Sequence, residues 1–148
     1  MRNICTNRLN LTLPALSVNE GAARAMVSAF CAQLNPTIEE LADIKCAVSE
    51  AVTNCIVHAY RDTIGTIWLR CRILSGDTLD IQIKDKGCGI ADVEAARKPM
   101  FTTGGEERSG MGFTIMESFM TDLRVSSVPG KGTTVHMKRK LVRRGKQA

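Results

Sequence analysis

The stretch Ser49-Glu50-Ala51-Val52-Thr53-Asn54-Cys55-Ile56-Val57-His58-Ala59-Tyr60 closes a long apolar stripe. Leu41, Ile44, Val48, Ala51, Val52, Cys55 and Ala59 recur at helical spacing along it. Thr37 followed by Glu40 is a capping box, so the pattern predicts a helix from there to about Ala59. Glu50 and Asn54 stand four apart and share one face of that helix. At about 100° per residue they flank Ala51 at the edge of the stripe, where a helix borders a cleft. A carboxylate there suits a general base, and an amide oxygen suits a hard cation such as Mg²⁺. Taken alone, the pair is also what a solvated helix face carries by chance. His58 extends the same face and reads as a structural or rim residue.

Outward from this helix the chain alternates in type. Leu9, Leu11 and Leu13 alternate with polar residues as a strand. Ser17 and Glu20 form a second capping-box pattern, and Ala23, Met26, Val27, Phe30 and Leu34 follow at helical spacing until Asn35-Pro36 breaks them. Downstream, Ile67, Leu69, Cys71 and Ile73 form one strand. Leu79, Ile81 and Ile83 form the next, with a hairpin turn at Ser75-Gly76-Asp77. From Gly87 to Gly112 periodicity is lost, apart from a helical turn or two over Ala91–Ala96. An irregular stretch of that length within a compact domain is usually functional or disordered. A helix over Phe113–Met120, a strand at Leu123 and Val125, a turn at Pro129–Gly132 and a last strand through Thr133, Val135 and Met137 complete the chain. The order predicts an α/β two-layer sandwich, with helices on one face of a mixed, largely antiparallel sheet. Its 148 residues suit one domain.

Composition narrows the class. No apolar run approaches membrane-spanning length, and the N-terminus lacks the apolar core of a secretory signal, so a cytoplasmic protein with no membrane partner is expected. None of the six cysteines forms a C-x-x-C pair; they read mostly as small core residues in a reducing compartment rather than as zinc ligands. The net charge of +5 is concentrated at Lys138, Arg139, Lys140, Arg143, Arg144 and Lys146, read as a basic tail over about 138–148. No aromatic residues interleave with it, so direct nucleic-acid binding is not expected.

Three further features carry chemistry. Asp85 continues the inward series Leu79, Ile81 and Ile83, and an inward carboxylate is costly without hydrogen-bond donors. Gly87 and Gly89 follow at once and permit close backbone approach to a ligand, for which the exocyclic amine of adenine would be a fitting donor to Asp85. A strand-end Asp closing an Asx-turn is the simpler alternative. Ser109-Gly110-Met111-Gly112 precedes a helix and offers backbone N–H groups to an anion, with Arg108 beside it; a loop ending in an N-cap would look the same. Thr133 lies in phase with Val135 and Met137, facing the same side as Asp85, where a satisfied strand hydroxyl is the plainer reading.

Together and in this order, Glu50-Ala51-Val52-Thr53-Asn54, Asp85-Lys86-Gly87-Cys88-Gly89, Gly110-Met111-Gly112 and Gly132-Thr133 resemble the N box, the two glycine boxes and the terminal threonine motif of the GHKL superfamily. That superfamily has the Bergerat ATP-binding fold. SEAVTNCIVHAY, FTTGGEERSGMGFTIMESFM and GTTV resemble more closely the anti-sigma serine kinases of spore-forming bacteria, over nearly all the chain from Ala15 to about Met137. The general stress-response anti-sigma kinases are the next most similar branch.

The resemblance implies ATP and Mg²⁺ as cofactors. Asn54 would ligate the metal, and Glu50 would take the proton from the attacking hydroxyl. Asp85, helped by Thr133, would recognise adenine. Gly87 and Gly89 would shape the base pocket, and Gly110 and Gly112 the phosphate end. Residues 91–109 would form a lid over ATP, with Thr103, Arg108 and Ser109 among the nucleotide contacts. Gly104-Gly105 departs from the branch's pattern and should make the lid more mobile. Members bind a sigma factor as a homodimer and phosphorylate a serine of an anti-anti-sigma protein; Arg24 matches a partner-contacting arginine. An ATP-gated sigma-binding module without kinase activity is the alternative from another class.

Overall fold

The structure, a computed structural model, describes residues 3–98 and 111–142. In chain order these form β1 (Cys5–Pro14), α1 (Val18–Cys31), α2 (Ile38–Asn54), β2 (Thr66–Leu74), β3 (Thr78–Asp85), α3 (Val93–Arg97), α4 (Gly112–Phe119), β4 (Asp122–Val128) and β5 (Gly132–Lys140). The five strands lie in the order β1-β2-β3-β5-β4, and every pairing among the described residues is antiparallel. The expected hairpin is β2–β3, with Cys71 opposite Ile81. After β3 the chain crosses the helical layer, descends the edge as β4 and returns as β5 between β4 and β3, setting Thr133 directly opposite Asp85.

Period-two burial builds one side of the core. Ile67, Leu69, Cys71, Leu79, Ile81, Ile83, Val135 and Met137 all face the helices. Ala23, Val27 and Cys31 of α1, Ile44, Val48, Ala51 and Val52 of α2, and Phe113 and Met116 of α4 close over them. The architecture is therefore the expected two-layer sandwich.

The two capping boxes fare differently. Thr37 is extended (φ −67°, ψ 163°); its hydroxyl accepts from Glu40 N at 3.0 Å, and Glu40 Oε1 accepts from Thr37 N at 2.9 Å. Ser17 does not cap α1. Its backbone is already helical (φ −54°, ψ −37°), which denies its hydroxyl the extended geometry a cap requires. Glu20 instead pairs with Arg24 at 3.2 Å.

Glu40 does more than cap. Its second oxygen, Oε2, accepts from Val142 N at 2.7 Å and fastens the end of the last strand to the start of α2. Burial alone would raise its pKa; the N–H groups of Thr37 and Val142, the Thr37 hydroxyl and the Arg139 charge outweigh burial and lower it. Ionised Glu40 therefore stabilises the fold above the ordinary carboxylate range, and that contribution is lost as pH falls through the lowered value. Glu40→Gln is expected to destabilise the protein by about 1–3 kcal/mol in urea melts at pH 7. The gap to wild type should close in acid.

The basic stretch read as a tail begins later than expected. Lys138, Arg139 and Lys140 belong to β5, and Arg139 Nη1 donates to Asp43 Oδ2 at 3.0 Å and also to Phe119 O. Arg143, Arg144 and Lys146 lie outside the described residues. On the sheet face opposite the described helices, Asp80 is fully buried between Arg72 Nε at 2.9 Å and His136 Nε2 at 2.5 Å. Cross-strand side chains, rather than a helix, cover this carboxylate.

Candidate nucleotide site

The helix carrying Glu50 and Asn54 does not stop at Asn54. It continues as one π-helical turn, Cys55–Ala59. Helical structure thus reaches Ala59 as expected, in a form that frequently marks functional sites. The turn carries the chain from one pole of the site to the other.

At the first pole is Asp85, buried and facing the helices as its strand phase requires. Its Oδ1 accepts from Gly87 N at 2.9 Å and from Thr133 N at 3.2 Å. Its Oδ2 receives the Cys55 thiol at 3.6 Å, a weak donor. The carboxylate is thus anchored through one oxygen, and the other keeps acceptor capacity. Burial raises its pKa above the ordinary value, against the lowering effect of the Gly87, Thr133 and Cys55 donors. The Cys55 thiol is pushed well up by burial and by the Asp85 charge, so it stays protonated and donating.

Thr133 assists through its backbone N–H, while its hydroxyl lies 2.8 Å from Ser127 Oγ. Ser127 also donates to Gly132 O at 3.0 Å and accepts from Ile90 N at 2.7 Å. With the serine's single proton committed to Gly132, the Thr133 hydroxyl donates to Ser127. Ser127 escaped the sequence reading because a serine in an edge strand carries no spacing signal.

Gly87 and Gly89 permit close approach of neighbouring backbone. A Cβ on Gly87 would lie 2.3 Å from Ala59 O. On Gly89, held at φ +74°, it would lie 2.4 Å from Val128 O. The two glycines let this loop be gripped by the π-turn on one side and by the end of β4 on the other. The grip continues through Cys88 N to Ala59 O at 2.9 Å and Gly130 N to Cys88 O at 2.8 Å.

At the second pole Glu50 and Asn54 converge on Gly112. A Cβ there would lie 3.2 Å from Glu50 Oε2 and 3.5 Å from both amide atoms of Asn54. Gly112 is the first residue of α4, so a helix N-terminus, which favours anions, meets a carboxylate and an amide at one place. Mg²⁺ prefers oxygen ligands and commonly takes one or two from protein with the rest from phosphate and water; the Asn54 amide oxygen beside a carboxylate is a donor set of that kind.

Thr103, Arg108, Ser109 and Gly110 lie outside the described residues, as does most of the expected lid. Its beginning is described: the helical turn expected at Ala91–Ala96 is α3, capped by Asp92, whose Oδ1 accepts from Ala95 N at 3.0 Å. Arg24 lies half-exposed on α1 against Glu20, with Nη1 3.4 Å from Ser49 Oγ on α2. His58 contributes its carbonyl, which accepts the Cys88 thiol at 3.2 Å. Only Cys31, Cys55 and Cys71 are buried; Cys46 and Cys88 are exposed, so fewer cysteines serve the core than expected, because Cys46 sits off the apolar stripe of α2 and Cys88 in a surface loop.

Residues 13–139 match the family model described as a histidine kinase-like ATPase domain. Anti-sigma F factor from Thermoanaerobacter sp. (strain X514) is 55% identical over 133 residues, covering 89% of this chain and 92% of that one. Its counterpart from Caldanaerobacter subterraneus is 57% identical over 132 residues, covering 88% and 92%. Among solved structures, that of the RsbU and RsbW domains of a Mycobacterium tuberculosis protein aligns with a TM-score of 0.69 at 21% identity, over 94% of this chain and 34% of that longer one. The last likeness is one of fold, and it agrees with the sandwich described above. With relatives above half identity over nearly their whole length and the family model spanning most of the sandwich, the chain belongs to the anti-sigma F factor family, built on a histidine kinase-like ATPase domain.

Proposed function

We propose that this protein is an ATP-dependent protein-serine kinase that also binds and inhibits a sporulation sigma factor. Its phosphoacceptor is a serine of an anti-anti-sigma partner, and it acts as a cytoplasmic homodimer. The observation that carries the kinase reading is the convergence of Glu50 and Asn54 on Gly112 at the start of α4. That convergence is joined by one continuous turn of chain to the anchored carboxylate of Asp85.

The chemistry follows from the two poles. Asp85 Oδ2 accepts the exocyclic amine of adenine, with the Thr133 hydroxyl alongside. The phosphates extend toward the α4 N-terminus, where Gly110 and Gly112, with Ser109, Arg108 and Thr103 from the lid, supply donors. Mg²⁺, held on Asn54, supplies charge neutralisation across the phosphates when bound. Glu50 orients the serine hydroxyl and accepts its proton as the oxygen bonds to the γ-phosphorus and the bond from that phosphorus to the β–γ bridging oxygen breaks, releasing ADP and leaving phosphoserine. Positioning and electrostatics account for most of the catalysis in such transfers. Arg24, half-exposed on α1, serves partner contact.

A competition experiment tests the regulatory half. A sporulation sigma factor should co-elute with the protein in ATP and Mg²⁺, and unphosphorylated anti-anti-sigma protein should release it. Arg24→Ala should weaken at least one of these contacts about tenfold without changing ATP affinity. Failure of the sigma factor to bind with ATP present would contradict the anti-sigma assignment.

A further inference from the structure

We propose that Tyr60 is a positioning residue for adenine recognition: its hydroxyl is inserted as a wedge into the β2–β3 ladder and sets the direction of Asp85. The inference rests on the nucleotide reading of the Asp85 pole. The last paired residues of the hairpin are Ile67 and Asp85, so the next antiparallel partners in register would be Thr66 and Lys86. Those two do not bond directly. Lys86 N donates to Tyr60 Oη at 2.7 Å, and Tyr60 Oη donates to Thr66 O at 2.7 Å. A phenol thus replaces one rung of the ladder, satisfying both backbone groups while holding the strands further apart than a direct bond would.

The consequence falls on Asp85. Fixing Lys86 N fixes the Asp85–Lys86 peptide plane, immediately before the Gly87 N–H that anchors Asp85 Oδ1. The splay starts the loop at the residue that meets adenine, with no break in hydrogen bonding. Gly65 makes room for the wedge: a Cβ there would lie 2.1 Å from Tyr60 Cε1. Tyr60 also caps the π-turn that begins at Cys55, directly after Asn54, so one short segment locates the adenine end relative to the phosphate end. The hydroxyl is built for this task. Burial raises its pKa, the Lys86 N–H works against that, and nearby Asp85 raises it further, so it remains a neutral donor and acceptor at physiological pH.

Tyr60→Phe keeps the ring and removes the wedge's hydrogen bonds. Amide exchange at Lys86 in the nucleotide-free protein should accelerate at least tenfold. The Kd for ATP should rise about three- to tenfold, because the two lost hydrogen bonds act on ATP only through Asp85, and kcat at saturating ATP should stay within about twofold. Discrimination of ATP over GTP should shrink with it. Gly65→Ala, which displaces the ring sterically, should reproduce the pattern. Unchanged Lys86 exchange with unchanged ATP affinity in Tyr60→Phe would overturn the inference while leaving the Asp85 assignment intact. If wild type bound no ATP, the nucleotide reading and this adenine role would both fail, whereas Lys86 exchange would still decide whether the wedge holds the loop.

Discussion

Glu50→Gln is expected to reduce phosphoryl transfer by roughly 10²- to 10⁴-fold, the range attributable to a positioned general base, while ATP affinity stays within about twofold. The substitution is nearly isosteric, so it preserves the packing of α2 against the start of α4. It removes the negative charge and the capacity to accept a proton while keeping one amide oxygen as acceptor. Glu50 lies at the edge of the apolar stripe and is half-buried, and its Oε2 faces Gly112 rather than the core. Calorimetry for ATP and single-turnover transfer to the partner separate the two effects. Equal loss of binding and transfer would make Glu50 a structural residue.

The second large effect is expected at the other pole. Asp85→Asn should weaken ATP binding at least tenfold, about 1.4 kcal/mol. The geometry explains why so conservative a change is costly. Gly87 N and Thr133 N both donate to Oδ1, so an asparagine must keep its carbonyl oxygen there. Its amide nitrogen then takes the place of Oδ2 and confronts the adenine amine donor to donor. Protonation of Asp85 would act in the same way, because the proton would reside on Oδ2. As burial raises this pKa, ATP affinity should begin to fall at a higher pH than an ordinary aspartate would give and decline further as the solution is acidified. Comparing wild type with Asp85→Asn cancels the titration of the nucleotide itself. A parallel pH dependence in both proteins would remove Asp85 from adenine recognition.

The layer architecture and the inward phase of Asp85 and Thr133 were legible in the sequence because period-two and period-3.6 burial leave direct traces in residue type. The Thr37 box was legible and formed. The Ser17 pattern was the same on paper and failed, since capping depends on a backbone angle that spacing does not encode. Asp80 was hidden for a related reason. Its phase placed it on the solvent side, and only the cross-strand neighbours Arg72 and His136 bury it there. At the site, the named glycines were visible but the protein groups packed against Gly87 and Gly89 were not. Contact with Ala59 and Val128 is a tertiary fact, as are the Ser127 hydroxyl network and the Tyr60 wedge. Sequence motifs marked the groups that would face the nucleotide, while the groups that hold them in place required coordinates.

The most direct test of the central claim is reconstitution from purified parts: this protein, its anti-anti-sigma partner, ATP and Mg²⁺, with the partner's phosphorylated residue located by mass spectrometry. The account predicts phosphoserine on the partner with wild type and almost none with Glu50→Gln. ATP bound tightly by the wild-type protein, with no phosphoserine formed on the partner, would contradict it and leave a nucleotide-gated binding protein in its place.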